Sequence, residues 1–274
     1  MPTEDIVDRG QAEDLVLVKR EGTVATVLLN RPDRLNALNK EMWRRVGEVF
    51  RFLDDDDSLR CVVLRGVGDK AFAPGADIIE FTDVRSNSKQ AADYGALMHG
   101  AMAAIRDCRY PVVAHIKGLC VGGGLELALM CDIRIASADA RFGVPVSRLG
   151  LVMAYPEVEA LVDLVGPSGA LEILLEARVF SAKEAKDKGL VNRVAPDDQV
   201  EAEVAETVDR ISTGAPLVNH WHKKFIRRVV SGAREARPLT PEETAEGYAC
   251  FDTEDFQEGV RAFLAKDTPR FKGK

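Results

Sequence analysis

The stretch Cys120–Asp132 reads CVGGGLELALMCD. Three glycines stand together, and the apolar run after them carries one carboxylate, Glu126. An unpaired carboxylate is costly to bury, and a glycine patch gives up side-chain packing. The familiar glycine motifs do not explain the pair. A G-x-G-x-x-G turn would need glycine at 127, where Leu127 stands, and a P-loop would need G-K-[ST] where Leu125 and Glu126 stand. A G-x-S-x-G elbow is absent. What remains is a strand, a glycine turn and a helix predicted from about Gly123 to Met130. Free backbone N–H groups point outward at such a helix start, and the helix dipole favours negative charge there. Glycine lets a ligand come close to that backbone, which is how an oxyanion hole is built. Glu126, one helical turn past Gly123, would flank the oxyanion, an arrangement suited to proton transfer beside a polarised carbonyl. The plainer alternative is a first-turn glutamate facing the helix dipole, with glycines that only permit tight packing.

A second turn bears on the choice. KAFAPGADI (Lys70–Ile78) follows the apolar strand Cys61–Gly66. Pro74-Gly75 makes a tight bend and leaves the N–H of Ala76 available. Two glycine turns after two strands supply the two donors that a thioester oxygen requires.

Outward from these turns, Leu15–Asn30 reads as a hairpin around Glu21-Gly22. Lys40–Leu53 repeats apolar residues at helical spacing: Met42, Val46, Val49, Phe50 and Leu53. Ala91–Cys108 reads as helix, and strands are expected from Pro111 and over Asp132–Ala138. This alternation favours parallel or mixed α/β architecture with right-handed crossovers. After about Asp197 the chain reads as helices only, with Pro216 and Pro241 near helix starts and Thr240 and Thr253 as caps. The expected organisation is a loose leader over 1–14, an α/β core over 15–196 and a helical region over 197–274.

Composition narrows the function classes. The 274 residues are 46% apolar and 30% charged, enough for a large core. A net charge of -7 argues against nucleic acid as the main partner. The one basic-aromatic run, His220–Arg228, reads as a packed helix with a solvated basic edge rather than an RNA-binding surface. No apolar run is long enough to cross a membrane. The acidic, polar start lacks the build of a signal peptide, so a cytoplasmic location is expected. The cysteine count is odd, five, without C-x-x-C, which indicates reduced packing residues. The four histidines include no H-E-x-x-H, and His220 and His222 point in different directions, so no metal site is expected.

Five segments together resemble the enoyl-CoA hydratase/isomerase (crotonase) superfamily: NRPDRLNALN, KAFAPGADI, VGGGLELALMCDIRIASADARFGVP, ALEILLEARVFSAKEAKDKGLVNRV and FDTEDFQEGVRAFLAK. They span nearly the whole chain in the family's order. The resemblance implies an α/β fold, a crotonase-like spiral of ββα units, followed by a C-terminal helical trimerisation region. It implies that the N–H groups of Ala76 and Gly123 hold an acyl thioester oxygen and that Glu126 is the first catalytic glutamate. It places a coenzyme A cleft at Arg34, Leu35 and Ala37 and around Pro74, Ala76, Asp77 and Ile78. It makes Lys70 a phosphate contact, and Phe263 and Lys266 part of a tail that reaches the cofactor, often from a neighbouring subunit. No tightly bound cofactor is implied, coenzyme A being part of the substrate, and the expected assembly is a homotrimer or a hexamer.

One departure stands out. Family hydratases carry a second glutamate in a segment like F-G-x-P-E, whereas this chain reads FGVPV, with Val146 at the acid's place. Valine neither donates nor accepts a proton. The loop that follows, GLVMAYPEVEAL, adds Tyr155, Glu157 and Glu159. Tyr155 and Glu157 are candidate replacement acids, while Glu159 reads as a solvated first-turn acid. The leading expectation is a lyase adding water to a 2-enoyl-CoA. A single-glutamate isomerase or other enolate chemistry is the first alternative, and a non-catalytic acyl-CoA binder the second.

Overall fold

A computed structural model describes residues 14–235, 240–242 and 252–274. The leader expected over 1–14 lies almost wholly outside the described residues, as do Cys250 and most of the helix expected around Pro241.

The hairpin forms as the sequence indicates, β1 (Val16–Glu21) antiparallel to β2 (Val24–Leu29) around Gly22, which adopts φ 59°. Next comes α1 (Lys40–Asp54), capped by the Asn39 side chain, which accepts from Met42 N. It buries Met42, Trp43, Val46, Val49, Phe50 and Leu53, one face of the predicted helical spacing. β3 (Cys61–Gly66) leads into β4 (Ala71–Ala73), and short α2 (Phe81–Val84) precedes α3 (Ser88–Asp107). β5 (Val112–Ile116) and β6 (Leu119–Val121) run into α4 (Gly123–Met130). β7 (Ile133–Ser137) and β8 (Arg141–Gly143) run into α5 (Tyr155–Glu176), which breaks at Gly166 (φ 69°) before Pro167. β9 (Phe180–Ser181), α6 (Ala182–Asp187) and β10 (Arg193–Ala195) follow, then helices α7 (Val200–Ser212), α8 (Pro216–Glu235) and α9 (Glu254–Ala265).

The strands divide between two sheets. One has the order β1-β2-β3-β5-β7-β10, parallel from β2 onward, and the other the order β4-β6-β8-β9. Successive turns of the spiral therefore place one strand in each sheet: β3 then β4, β5 then β6, β7 then β8. The first strands, Val- and Ile-rich, are buried on both faces, as parallel strands usually are. The second set is only two or three residues long.

α4 sits at the centre. All eight of its residues are buried, in keeping with a helix that is apolar all round but for Glu126. α3 and α5 pack against it, and α1 packs on α3. α7 covers the outer face of the larger sheet, where Val200 and Val204 join Cys61, Val63, Val113 and Ile135. α7, the first helix beyond residue 197, thus completes a layer of packing on the larger sheet. α8 is moored by Lys223, 2.7 Å from Asp132 Oδ2, and Arg227, 3.1 Å from Asp132 Oδ1. Two cations of the basic run are therefore used internally, which departs from the solvated basic edge the sequence suggests: the Lys223 side chain is only 8% exposed, while Val229, expected on the packed face, is 65% exposed. The described cysteines, Cys61, Cys108, Cys120 and Cys131, are free and buried. Among the described residues no helix is long and apolar enough to cross a membrane, and no cluster of metal-binding side chains occurs.

Candidate active site

The loop between β2 and α1 and the turn after β4 are stitched together by backbone. Leu38 N donates to Gly75 O at 2.9 Å, and Asp77 N donates to Leu38 O at 2.8 Å. Asn36 adopts a left-handed conformation, φ 65°, which asparagine tolerates better than most residues. It is buried and holds the loop in place, its Nδ2 donating to Ala71 O at 2.8 Å and Val67 O at 3.1 Å. Arg31 donates to Ala37 O and pairs with Asp77 Oδ2 at 2.9 Å, so the Asp77 carboxylate ties the two segments together. The segments that contain Arg34, Leu35 and Ala37 and Ala76, Asp77 and Ile78 are thereby brought side by side.

The second donor turn faces the first. Gly75 adopts φ 116° and Gly122 φ 50°, conformations that favour glycine. A Cβ on Gly123 would lie 3.5 Å from Ala76 N, and one on Gly75 would lie 3.6 Å from Gly123 N. Neither the Ala76 nor the Gly123 N–H has an acceptor among the described residues. Two unsatisfied backbone donors set this close are the geometry an oxyanion hole needs. Trp43 and Leu38 wall the place, each within about 3.3 Å of a Cβ built on Gly123.

Glu126 lies one turn along α4 and is only 7% exposed. Its side chain has no hydrogen bond among the described residues. Burial, and then the negative charge of Glu157, push its carboxyl up to about 8, with Arg85 pulling the other way. A buried carboxyl whose proton affinity is raised in this way is matched to general acid–base work. The first-turn, dipole-facing alternative accounts for neither the missing partner nor the facing donor turn.

Val146 stands in a short 3-10 turn, Pro145–Leu149, and packs against the main core. It offers no proton. Tyr155 and Glu157, two residues apart, face opposite ways. Tyr155 is 92% exposed, so the structure does not gather it with Glu126, whereas Glu157 is 2% exposed. Glu159 is exposed, in the second turn of α5 rather than the first. Glu157 Oε1 lies 2.8 Å from Nε2 of His99, a residue without a local sequence signal, 58 positions away on α3. Glu157 Oε2 is buried with no hydrogen-bond partner.

The expected cofactor contacts divide. Arg34, Leu35, Lys70 and Ile78 are exposed along the joined segments, with Ala37, Pro74 and Ala76 half-buried among them. Lys70 also accepts a hydrogen bond from Leu119 N through its carbonyl, which locks β4 beside β6 and leaves the ammonium in solvent. Lys266 is exposed at the end of α9, and the side chain of Phe263 lies outside the described residues. The tail after α9 is moored ahead of β3, where Arg60 donates to Phe271 O, while the Ala76 turn comes after β3.

Fold and site together define a class: a two-sheet spiral whose glycine turns present paired donors beside a helix-borne carboxylate, which is the crotonase fold. The chain belongs to the enoyl-CoA hydratase/isomerase family, which it matches over residues 19–274. It is 34% identical to a short-chain-enoyl-CoA hydratase of Clostridium acetobutylicum, over 92% of this chain and 95% of that one. It is 33% identical to a crotonyl-CoA hydratase of Syntrophomonas wolfei, over 96% of this chain and 100% of that one. Among solved structures, an enoyl-CoA hydratase/carnithine racemase from Magnetospirillum magneticum is similar at a TM-score of 0.92 and 50% identity, covering 95% of this chain and 96% of that one.

Proposed function

We propose that the protein adds water reversibly to a 2-enoyl-CoA thioester. The carrying observation is the pairing of two unsatisfied N–H donors, at Ala76 and Gly123, with the buried Glu126 beside them. The donors draw charge onto the thioester oxygen, which makes C3 of the enoyl group electrophilic. Glu126 in its ionised form takes a proton from water as the oxygen bonds to C3, and the resulting enolate is held by the two N–H groups. Glu157, the buried carboxyl coupled to Glu126, supplies the second proton in place of an acid at Val146.

Coenzyme A is part of the substrate, and no other cofactor is invoked. Its pantetheine arm follows Leu35, Ala37, Pro74 and the Ala76–Ile78 backbone, with Arg34 and Lys70 at the phosphate end. The assembly is a homotrimer or a dimer of trimers, in which Phe263 and Lys266 reach a neighbour's cofactor. Exposed Ile226 and Val229 on α8 and Val260 on α9 supply apolar surface for such contacts. The cytoplasm is the proposed compartment.

Val146 keeps one alternative in view. A single glutamate can take a proton beside the carbonyl and return it elsewhere, giving a double-bond isomerase. Mass-resolved turnover of 2-enoyl- and 3-enoyl-CoA esters in deuterated water separates the readings. Hydration is expected: gain of water on a 2-enoyl ester with one carbon-bound deuterium. A shifted double bond without net water would replace hydration by isomerisation. Bound but unchanged esters throughout would favour a non-catalytic binder.

A further inference from the structure

His99 lies within α3, and its imidazole meets Glu157 Oε1. α3 and α5 both pack on α4, so this pair joins the two helices that flank the Glu126 helix. The two carboxylates are buried and the imidazole reaches the surface. Glu126 is 7% exposed, the Glu157 side chain 3%, and the His99 side chain 29%. Glu157 Oε2 is left buried and unpartnered. A purely structural carboxylate would be expected to satisfy both oxygens, because an orphaned buried acceptor costs about 1–3 kcal/mol. One oxygen held by an imidazole and the other left free is an arrangement for moving a proton.

We propose that His99 is a positioning residue that fixes Glu157 through Oε1 and connects it to solvent, leaving Oε2 to deliver the second proton. This rests on the hydration reading above. Glu126 takes a proton from water, the water oxygen bonds to C3, and the C2–C3 π pair becomes the enolate. Glu157 then gives its proton to C2, and the enolate electrons restore the carbonyl. His99 then passes a proton from Nε2 to the carboxylate oxygen that faces it, and between turnovers rotation about Cγ–Cδ exchanges the two equivalent oxygens, so that a protonated oxygen again faces the reacting side and the other returns to Nε2. His99 regains a proton from solvent at its exposed edge and Glu126 releases one, so the sum is one water added.

The test compares His99→Gln, His99→Ala and Glu157→Gln on a 2-enoyl-CoA ester that the unaltered protein hydrates. Glutamine can keep a donor on Oε1 but cannot relay a proton. Expected is a fall in kcat of about 10²-fold or more for His99→Gln, with KM nearly unchanged, and partial recovery of His99→Ala by added imidazole. Wild-type kcat in folded His99→Gln would overturn the relay. If thermal unfolding shows that His99→Gln is not folded, imidazole recovery of His99→Ala decides, and its absence overturns the proposal. Inactive Glu157→Gln beside active His99→Gln would remove His99 alone. Fully active Glu157→Gln, or a wild type that hydrates no 2-enoyl ester, would remove the two-carboxylate reading and the relay with it.

Discussion

Replacing Glu126 with glutamine is expected to lower hydration by roughly 10²–10⁴-fold, the usual loss on removing a general acid–base group, while coenzyme A esters still bind. Glutamine keeps the size of the side chain but cannot exchange the proton. Steady-state turnover together with calorimetric titration of an ester separates the two effects. Retained turnover would take Glu126 out of the chemistry.

The same variant carries a signature in stability. Burial raises the Glu126 carboxyl to about 8 in the folded protein, above its ordinary value of 4.5. The folded state therefore favours the protonated form. The resulting contribution is full below pH about 4.5 and is lost as pH rises through about 8. Above that pH the native site must hold a buried charge, and each tenfold difference in proton affinity between the folded and unfolded chain is worth about 1.4 kcal/mol. Glu126→Gln should therefore raise the melting temperature most above pH 8 and hardly at all near pH 4.5. In the active protein, a base at Glu126 makes kcat/KM climb with pH until about 8. A rate that falls over that range would assign Glu126 the acid's role instead.

Gly124→Ala is expected to damage the fold itself. A Cβ at this position would lie 2.1 Å from the Ala73 carbonyl oxygen and 2.8 Å from its carbon, both backbone atoms. No rotamer change relieves such a clash, so α4 and β4 must separate, at a cost above the roughly 1–3 kcal/mol of ordinary overpacking. These are also the elements that lead to Gly123 and Ala76, so any folded fraction should have its two donors pulled apart. Gly100→Ala is the control, because a Cβ there meets nothing within 4 Å and alanine favours the middle of α3. Melting curves should show a large fall for Gly124→Ala and a small rise for Gly100→Ala. Equal stability of the two would contradict the packing described for α4.

Much of this arrangement is legible in the sequence because its signals are local. The helix Gly123–Met130 and the strand Cys61–Gly66 occur where the residue pattern puts them, since glycine punctuation and apolar runs mark their ends. The smaller sheet was not legible. Its strands are two or three residues long, too short for an alternating pattern, and only pairing with strands elsewhere makes them strands. Helix α3 begins before the expected Ala91, because Asn87 caps it by accepting from Gln90 N. Tyr155 and Glu157 were equal candidates in the sequence. Two positions on a helix point in nearly opposite directions, and only the packing of α5 on α4 decides that Glu157 is the inward one. His99 had no signal at all, for its meaning depends wholly on Glu157, a contact between distant helices.

The central claim is that the N–H groups of Ala76 and Gly123 polarise a thioester carbonyl beside Glu126. It is tested most directly by difference infrared spectroscopy of an acyl-CoA carrying a ¹³C-labelled thioester carbonyl, bound to the Glu126→Gln protein. Two donors on the oxygen weaken the C=O bond, so the labelled stretch should move to lower frequency than in the free ester. A bound ester whose carbonyl stretch stays at the solution frequency would contradict the account.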